Sequence, residues 1–165
     1  MSPDIQIAAA VSPNDLEQIR ELFREYFAWV QDDLGFDLSY QAIEKELVTL
    51  PGAYASPQGC LLLARSSGKP IGCIALRPHS LEICELKRMY VRPSFRSQGI
   101  GRMLCAQIIQ VAKLAGYSLM RLDTEISLSS AQKIYAALGF HLALPYYEVP
   151  EVVRDRTIFM ELNLA

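Results

Sequence analysis

The chain has 165 residues, of which 51% are hydrophobic and 21% charged, and its formal net charge at pH 7 is −2. This composition excludes a disordered or low-complexity chain, and the length fits one domain over residues 1–165. No apolar run approaches the ~18 residues that cross a bilayer, and the N-terminus has neither a basic region nor a long apolar run. We therefore expect a cytoplasmic protein with no membrane partner and no signal peptide.

The first third of the chain predicts one strand and two helices. Residues 5–10 fit a short strand, and Ser12 followed by Pro13 fits the start of a helix over 13–30, because serine caps a helix and proline suits its first turn. Ser39 is a second candidate cap, for a helix that runs to about Thr49. Residues 50–59 hold two prolines and two glycines and predict a loop.

The rest of the chain predicts further strands and two helices. The strands are expected over residues 60–65, 70–77, 83–91, 118–124, 140–149 and 157–164, and the helices over 99–115 and 129–138. Short links favour antiparallel hairpins, whereas helix 99–115 should join its two flanking strands as a right-handed parallel crossover. The predicted fold class is α/β, a single domain with a mixed, largely antiparallel sheet flanked by helices and a central βαβ crossover.

Cysteine and charge patterns narrow the chemistry. The four cysteines form no CxxC pair and the two histidines do not cluster with them, so we expect buried thiols and no metal site. Residues 1–50 hold ten acids and three bases, whereas residues 86–122 hold seven bases and no acid. A basic segment that contains glycines and leads into a helix is typical of an anion-binding site.

A phosphate-binding turn is predicted at residues 91–102, which read VRPSFRSQGIGR. A strand ends there and a helix begins at the glycines, so free N–H groups and the positive end of the helix dipole meet an incoming anion. Nothing matches the Gly-Lys-Ser/Thr of a nucleoside triphosphate loop, and Leu104 replaces the third glycine of a dinucleotide loop. The pyrophosphate of coenzyme A is the third candidate.

Two motifs resemble the GNAT superfamily of N-acetyltransferases. Residues 96–101, Arg-Ser-Gln-Gly-Ile-Gly, fit the superfamily's Arg/Gln-x-x-Gly-x-Gly/Ala signature, and residues 131–140, AQKIYAALGF, are similar to its second signature. The order of the predicted elements extends the resemblance over nearly the whole chain. The resemblance implies an enzyme that transfers an acetyl group from acetyl-CoA to a primary amine of a small molecule or peptide by direct attack.

The resemblance also implies roles for individual residues. Tyr135 would protonate the leaving thiolate, and either Glu85 or an ordered water chain would deprotonate the amine. Backbone amides of the glycine loop would hold the pyrophosphate, and the end of the preceding strand would hold the pantetheine. The residues expected to bind coenzyme A are Met89, Val91, Arg96, Ser97, Gln98, Gly99, Ile100, Gly101 and Arg102.

Several alternatives stay open at this point. Tyr135 also fits a plain core aromatic, and Glu85 an ordinary carboxylate on a strand. A non-catalytic acyl-CoA-binding sensor would keep the glycine loop and lack a working base or donor. A nucleic-acid-binding domain could use the basic stretch, but few aromatic residues lie there for stacking and the chain is acidic, so we expect no nucleic-acid partner. A homodimer is compatible with the sequence.

Charge also bears on the acceptor. By resemblance, the first two helices border the acceptor groove, and their acids would attract a cationic substrate. The same acids also fit the solvent face of an amphipathic helix. Lys87 and Arg88, on the central strand, favour an acceptor with a carboxylate. We therefore expect a small amine or an amino-acid-like acceptor and not a large anionic one.

Overall fold

One seven-stranded sheet organises the chain, and the computed structural model describes residues 4–165. Residues 1–3, which the predictions of a single domain and of no signal peptide include, lie outside the described residues. The strands are β1 (Ile5–Ala9), β2 (Cys60–Ser66), β3 (Lys69–Pro78), β4 (Ile83–Val91), β5 (Leu119–Glu125), β6 (His141–Leu142) and β7 (Thr157–Asn163). The helices are α1 (Pro13–Ala28), α2 (Ile43–Thr49), α3 (Ile100–Leu114), α4 (Ser129–Ala137) and α5 (Glu151–Arg154).

The strands lie in the order β1-β2-β3-β4-β5-β7-β6. Strands β4 and β5 are parallel, and the other neighbouring pairs are antiparallel. Helix α3 joins β4 to β5, which confirms the predicted crossover. The described residues thus form one α/β unit with a mixed, mostly antiparallel sheet, as the sequence predicts. Among residues 4–165, no helix combines the length and apolar character that crossing a membrane requires.

Two hydrophobic clusters cover the two faces of the sheet. Helices α3 and α4 pack on one face, where Ile108 and Tyr135 lie in the same cluster as Leu62. Helices α1 and α2 pack on the other face, where Phe23 lies in the same cluster as Leu63. Successive side chains of a strand point to opposite faces. The nearly continuous apolar run of β2 therefore reflects a strand that is buried on both sides.

Helix α1 begins as the sequence predicts, and a π-helical turn follows it. The Ser12 side chain accepts a hydrogen bond from the Asp15 N–H, and the Asp15 carboxylate accepts one from the Ser12 N–H. This reciprocal pair satisfies two N–H groups that the first helical turn leaves free. The α-helix ends at Ala28, and residues Trp29–Asp33 continue as a π-helix, a rare turn that is frequent at functional sites.

Helix α2 starts later than predicted. Residues Ser39–Gln41 form a 3₁₀ turn, and α2 begins at Ile43. Between them Ala42 has a φ angle of 51°, a left-handed conformation that cannot continue a right-handed helix. Arg88 donates hydrogen bonds to Gln41 and to Glu46, so a single side chain of the sheet binds residues on both sides of the break.

The strand predicted over 140–149 is much shorter in the structure. His141–Leu142 pair with β7, and one further hydrogen bond runs from Ala143 N–H to Phe159 O. Pro145 has no N–H to donate to a ladder, and the chain leaves the sheet before it. The two tyrosines that follow instead pack their rings against Phe159 on the α1 face of the sheet.

The sheet opens between its two parallel strands. Strands β4 and β5 pair only from Ile83 with Leu119 to Glu85 with Arg121. Beyond that point β4 contains a bulge at Arg88, which has a φ angle of 58° and falls where the register with β3 shifts. A bulge bends its strand and increases its twist. The two strands therefore diverge toward their C-terminal ends and leave a cleft through the middle of the sheet.

Candidate active site

The cleft continues outward as a groove of about 670 Å³ between β4, the loop before α3 and the start of α4. Predicted coenzyme A ligands that line it are Met89, Val91, Arg96, Ser97, Gly99, Ile100, Gly101 and Arg102. Gln98 is the predicted ligand that does not line its wall. The structure therefore brings together, along one groove, nearly all the residues that the sequence predicts for this role.

The glycine loop presents a row of N–H groups to this groove. Among the described residues, the N–H groups of residues 97–102 have no hydrogen-bond acceptor, and the helical ladder starts with Met103 N–H donating to Gly99 O. Ser97 and Gly99 have φ angles of 63° and 80°, and such left-handed positions turn successive N–H groups toward one side. No heavy atom lies within 4 Å of the position a Gly99 Cβ would take. This row suits an anion of pyrophosphate size.

The end of β4 directs backbone groups into the same groove. The Arg92 N–H donates to Ile71 O of β3. Backbone groups of successive strand residues alternate in direction, so the N–H and C=O groups of Met89 and Val91 point away from β3 and toward the groove. They offer an extended ligand a ladder of the kind that an added strand would form.

Arg96 lies at the rim in a defined position. Its Nε donates to Val91 O at 2.8 Å, and its guanidinium stacks over the rings of Trp29 and Tyr90 at 4.5 and 5.7 Å. The Val91 carbonyl is therefore already bonded, while the two terminal nitrogens of Arg96 have no hydrogen-bond acceptor among the described residues. Arg96 can still supply positive charge beside the glycine loop.

Tyr135 of α4 lies where the groove meets the gap between β4 and β5. Its side chain is 5% exposed and it lines a small inner pocket of about 50 Å³. Burial raises the pKa of Tyr135 well above its ordinary value, so the hydroxyl keeps its proton. Met89 also lines this pocket and lies against Cys105, with the two sulfur atoms 3.2 Å apart. The tyrosine is thus a neutral donor at the inner end of the groove.

The inner pocket also contains charged groups that the sequence did not single out as a pair. Lys87 Nζ lies 2.9 Å from Asp123 Oδ1, and the side chains are 6% and 8% exposed. The Tyr147 hydroxyl donates to Asp123 Oδ2 at 2.8 Å. Burial acts to raise the pKa of Asp123, but the charge of Lys87 and the two hydrogen bonds outweigh it and hold that pKa below its usual value. The only sequence signal was the alternation of polar and apolar residues along β5.

Glu85 does not line the groove or the inner pocket. It lies on the α1 face of β4, where its carboxylate accepts hydrogen bonds from Arg77 Nε at 3.1 Å and the Tyr146 hydroxyl at 2.8 Å. His79 Nδ1 is 3.8 Å away. Glu85 therefore has no direct contact with the space in which Tyr135 and Asp123 meet.

Most of the predicted acidic border is neutralised by ion pairs. Four of its acids bind arginines of other elements. These pairs are Asp15–Arg65, Glu21–Arg92, Glu25–Arg92 and Glu46–Arg88. These pairs reduce the net negative charge of the border, and the steering of cationic acceptors by it stays a prediction. Arg88, expected to favour a carboxylate on the acceptor, is likewise engaged by Glu46.

A second arginine fixes the segment that closes the inner pocket. Arg156 donates to Leu34 O at 2.7 Å and Gly35 O at 3.0 Å, just before the pocket-lining Phe36. Its Nε donates to Glu125 at 2.9 Å, and Glu125 is only 4% exposed. This link joins the segment after α1 to the end of β5.

Known proteins resemble this chain in sequence and in fold. An uncharacterized N-acetyltransferase of Schizosaccharomyces pombe is 38% identical over 164 residues, which cover 98% of this chain and 96% of that protein. The N-acetylaspartate synthetase of Rattus norvegicus is 33% identical over 113 residues, 66% of this chain but only 38% of the relative's length. The structure of PaiA N-acetyltransferase from Thermoplasma acidophilum in complex with coenzyme A shares the fold, with a TM-score of 0.72, 23% identity, and coverage of 97% of this chain and 99% of that one.

The model of the acetyltransferase (GNAT) family matches residues 16–140, a range that holds both the glycine loop and the whole second signature. The match covers most of the chain, and the S. pombe relative extends it to both sides. This chain therefore belongs to the acetyltransferase (GNAT) family, as its two motifs predict.

Proposed function

We propose that this chain transfers the acetyl group of acetyl-CoA to the primary amine of a small, amino-acid-like molecule by direct attack. Its family membership makes N-acetyltransferase the enzyme class and acetyl-CoA the co-substrate. The observation that carries the proposal is the row of N–H groups at residues 97–102, because it faces a groove that shares Met89 with the inner pocket that Tyr135 lines.

The groove offers successive binding positions for the pyrophosphate, the pantetheine and the thioester of acetyl-CoA. The pyrophosphate is bound by backbone N–H groups of the glycine loop, those of Ser97, Gln98, Gly99, Ile100 and Gly101. Gln98 contributes its backbone N–H but not its side chain. Arg96 and Arg102 add positive charge at the rim. The backbone of Met89 and Val91 binds the pantetheine, and the thioester then lies beside Tyr135. The Thermoplasma acidophilum neighbour, solved with coenzyme A, has the same fold.

Between heavy atoms, the reaction forms one bond and breaks one. The neutral amine nitrogen attacks the thioester carbonyl carbon, the N–C bond forms, the C–S bond breaks, and the nitrogen loses a proton while the thiolate gains one. An amine with a pKa near 10.4 must first lose its extra proton, which costs about 4–5 kcal/mol at pH 7. The thiolate leaves with a pKa near 8.5, so full transfer from a tyrosine at its ordinary pKa of ~10 would be uphill by about 2 kcal/mol. Burial raises the pKa of Tyr135 further and makes full transfer less favourable still. Tyr135 therefore acts as a hydrogen-bond donor in the transition state.

Glu85 remains our proposed base, with an ordered water chain as its partner or replacement. The carboxylate does not line the inner pocket, so a proton must pass through an intermediate group. The Tyr146 hydroxyl donates to Glu85, and the Tyr147 hydroxyl donates to Asp123. The rings of the two tyrosines meet edge to face with their centroids 5.3 Å apart, so ordered water has to complete the proton route between the two carboxylates. This route makes Glu85 a remote proton acceptor.

The inner pocket supports a small acceptor. Its volume of about 50 Å³ and its walls of Val30, Phe36 and Leu38 leave room for an amine on a short chain. One relative is named N-acetylaspartate synthetase, and that name points to an amino acid as its acceptor. A cytoplasmic location and a homodimer remain predictions, and light scattering of the purified chain tests the second.

Binding and turnover test the proposal separately. The chain's single tryptophan, Trp29, lines the groove, so its fluorescence should change when acetyl-CoA binds, and NAD or ATP at the same concentration should have far less effect. Thiol release is then measured with a panel of amines. Binding without thiol release from any amine would favour the non-catalytic sensor, and no binding would refute the proposed function.

A further inference from the structure

The ion pair between Lys87 and Asp123 occupies the point where the sheet opens. The last backbone pair between β4 and β5 is Glu85 with Arg121, and Lys87 and Asp123 are the next residues on the same face of each strand. Their side chains reach across the gap and meet at 2.9 Å. Both line the inner pocket together with Tyr135. A buried ion pair is therefore part of the wall of the space in which acetyl transfer takes place.

Both members of the pair have spare hydrogen-bonding capacity. An ammonium group has three donors, and one contact of Lys87 Nζ is found among the described residues, to Asp123. The Asp123 carboxylate offers about four acceptor positions and uses one for Lys87 and one for Tyr147. Two nearly buried groups of opposite charge thus keep unused hydrogen-bond donors and acceptors side by side in the inner pocket.

The other charged groups of the pocket are already committed. The Arg88 guanidinium donates twice to Glu46 and once to Gln41. Glu125 accepts from Arg156 and from the Ser127 N–H. Arg88 and Glu125 are each paired with a residue of opposite charge, so the pocket has no large net charge. A ligand that enters it must itself carry both charges or neither.

We propose that the Lys87–Asp123 pair is the binding site for an α-amino acid acceptor, with Asp123 holding its ammonium group and Lys87 its carboxylate. This inference rests on the proposed function and names the acceptor's chemical class. A zwitterion adds one charge of each sign beside the pair and leaves the net charge of the buried site unchanged, whereas a simple ammonium would add an unbalanced positive charge there. The ammonium at Asp123 then lies in the same pocket as Tyr135, where the nitrogen must attack after it loses its proton.

Wild-type protein provides the first test. Three acceptors that share the same side chain are compared: an α-amino acid, its α-amide and the corresponding decarboxylated amine. We expect kcat/KM to be about 10- to 100-fold higher for the amino acid than for the amide, the range of a hydrogen bond between charged groups. Equal values for the three acceptors would overturn the inference. If no amine releases thiol, the proposed function has failed instead, and binding of the amino acid in the presence of coenzyme A, measured by thermal shift, still tests the pair.

Variants distinguish a role of the Lys87–Asp123 pair in binding the acceptor from a role in holding β4 and β5 together. Lys87→Gln should raise KM for the amino acid and leave KM for the amide unchanged, whereas Asp123→Asn should raise KM for every primary amine. Glu161→Gln is the matched control, because it removes the ion pair between Glu161 of β7 and Arg121 of β5, the strand of Asp123, without lining the pocket, and it should change neither KM. A Lys87→Gln variant that loses activity equally toward amino acid and amide would mean that the pair only holds the strands together.

Discussion

Gly99 allows a substitution experiment with an internal control. Its φ angle is 80°, and no heavy atom lies within 4 Å of where a Cβ would be. Gly68, in the turn between β2 and β3, has a φ angle of 81° and equally open surroundings. A β-carbon in this conformation costs about 1–2 kcal/mol. Gly99→Val and Gly68→Val should therefore lower Tm by similar amounts, roughly 2–8 °C for a chain of this size.

Of these two glycines only Gly99 lines the groove, so of the two variants only Gly99→Val should lose acetyl-CoA binding. The added side chain stands in the open space from which an anion must approach the N–H groups of residues 97–102. At 100 times its Kd, a ligand stabilises the folded state by about 2.7 kcal/mol. That free energy corresponds to a rise in Tm of roughly 5–11 °C. Gly68→Val should keep this rise, and Gly99→Val should show almost none.

Differential scanning fluorimetry with and without acetyl-CoA measures both effects on the same samples. A titration followed by Trp29 fluorescence gives the Kd independently of unfolding. If Gly99→Val stays folded and keeps the full shift, the glycine loop does not bind the pyrophosphate. If both variants lose the shift, backbone strain and not access to the groove explains the result.

Three further predictions concern the reacting groups and the cap of α1. Tyr135→Phe should lower kcat by about 10- to 1000-fold with an unchanged Kd for acetyl-CoA, and an unchanged kcat would make Tyr135 a plain core aromatic. Glu85→Gln should reduce the rate most near neutral pH and recover toward the pKa of the amine, whereas a uniform loss across the pH–rate profile would indicate a structural role. Hydrogen bonds from the Val11 N–H, Arg65 and the Ser12 N–H hold the pKa of Asp15 well below its ordinary value, so its contribution to stability is present above the unfolded pKa of about 4 and is lost as the pH falls. Asp15→Asn should therefore cost roughly 1 kcal/mol at pH 7, and urea unfolding at pH 3 should show a smaller gap from wild type. A gap of the same size at both pH values would contradict this account.

The features that the sequence predicted correctly depend on neighbours along the chain. Ser12 caps α1 because a serine before Pro13 meets the free N–H groups of the first turn. The groove-facing N–H groups at Gly99 and Gly101 follow from a strand, a glycine loop and a helix in immediate succession. Tyr135 reaches the pocket because the helical period places it on the buried face of α4. Each conclusion needs only a few consecutive residues.

The features that sequence analysis missed depend on partners far apart in the chain. Lys87 meets Asp123 across 36 positions, and Arg92 neutralises Glu21 across 71. The bulge at Arg88 reverses the alternation of β4, so that Lys87 faces α1 while Met89 faces α3. No periodicity reveals a single extra residue in a strand, because a one-residue shift exchanges the two faces beyond it. Which acidic residue lies in the pocket with Tyr135 therefore depends on the strand register, on the bulge and on the divergence of β4 from β5. Tertiary packing fixes these three features together.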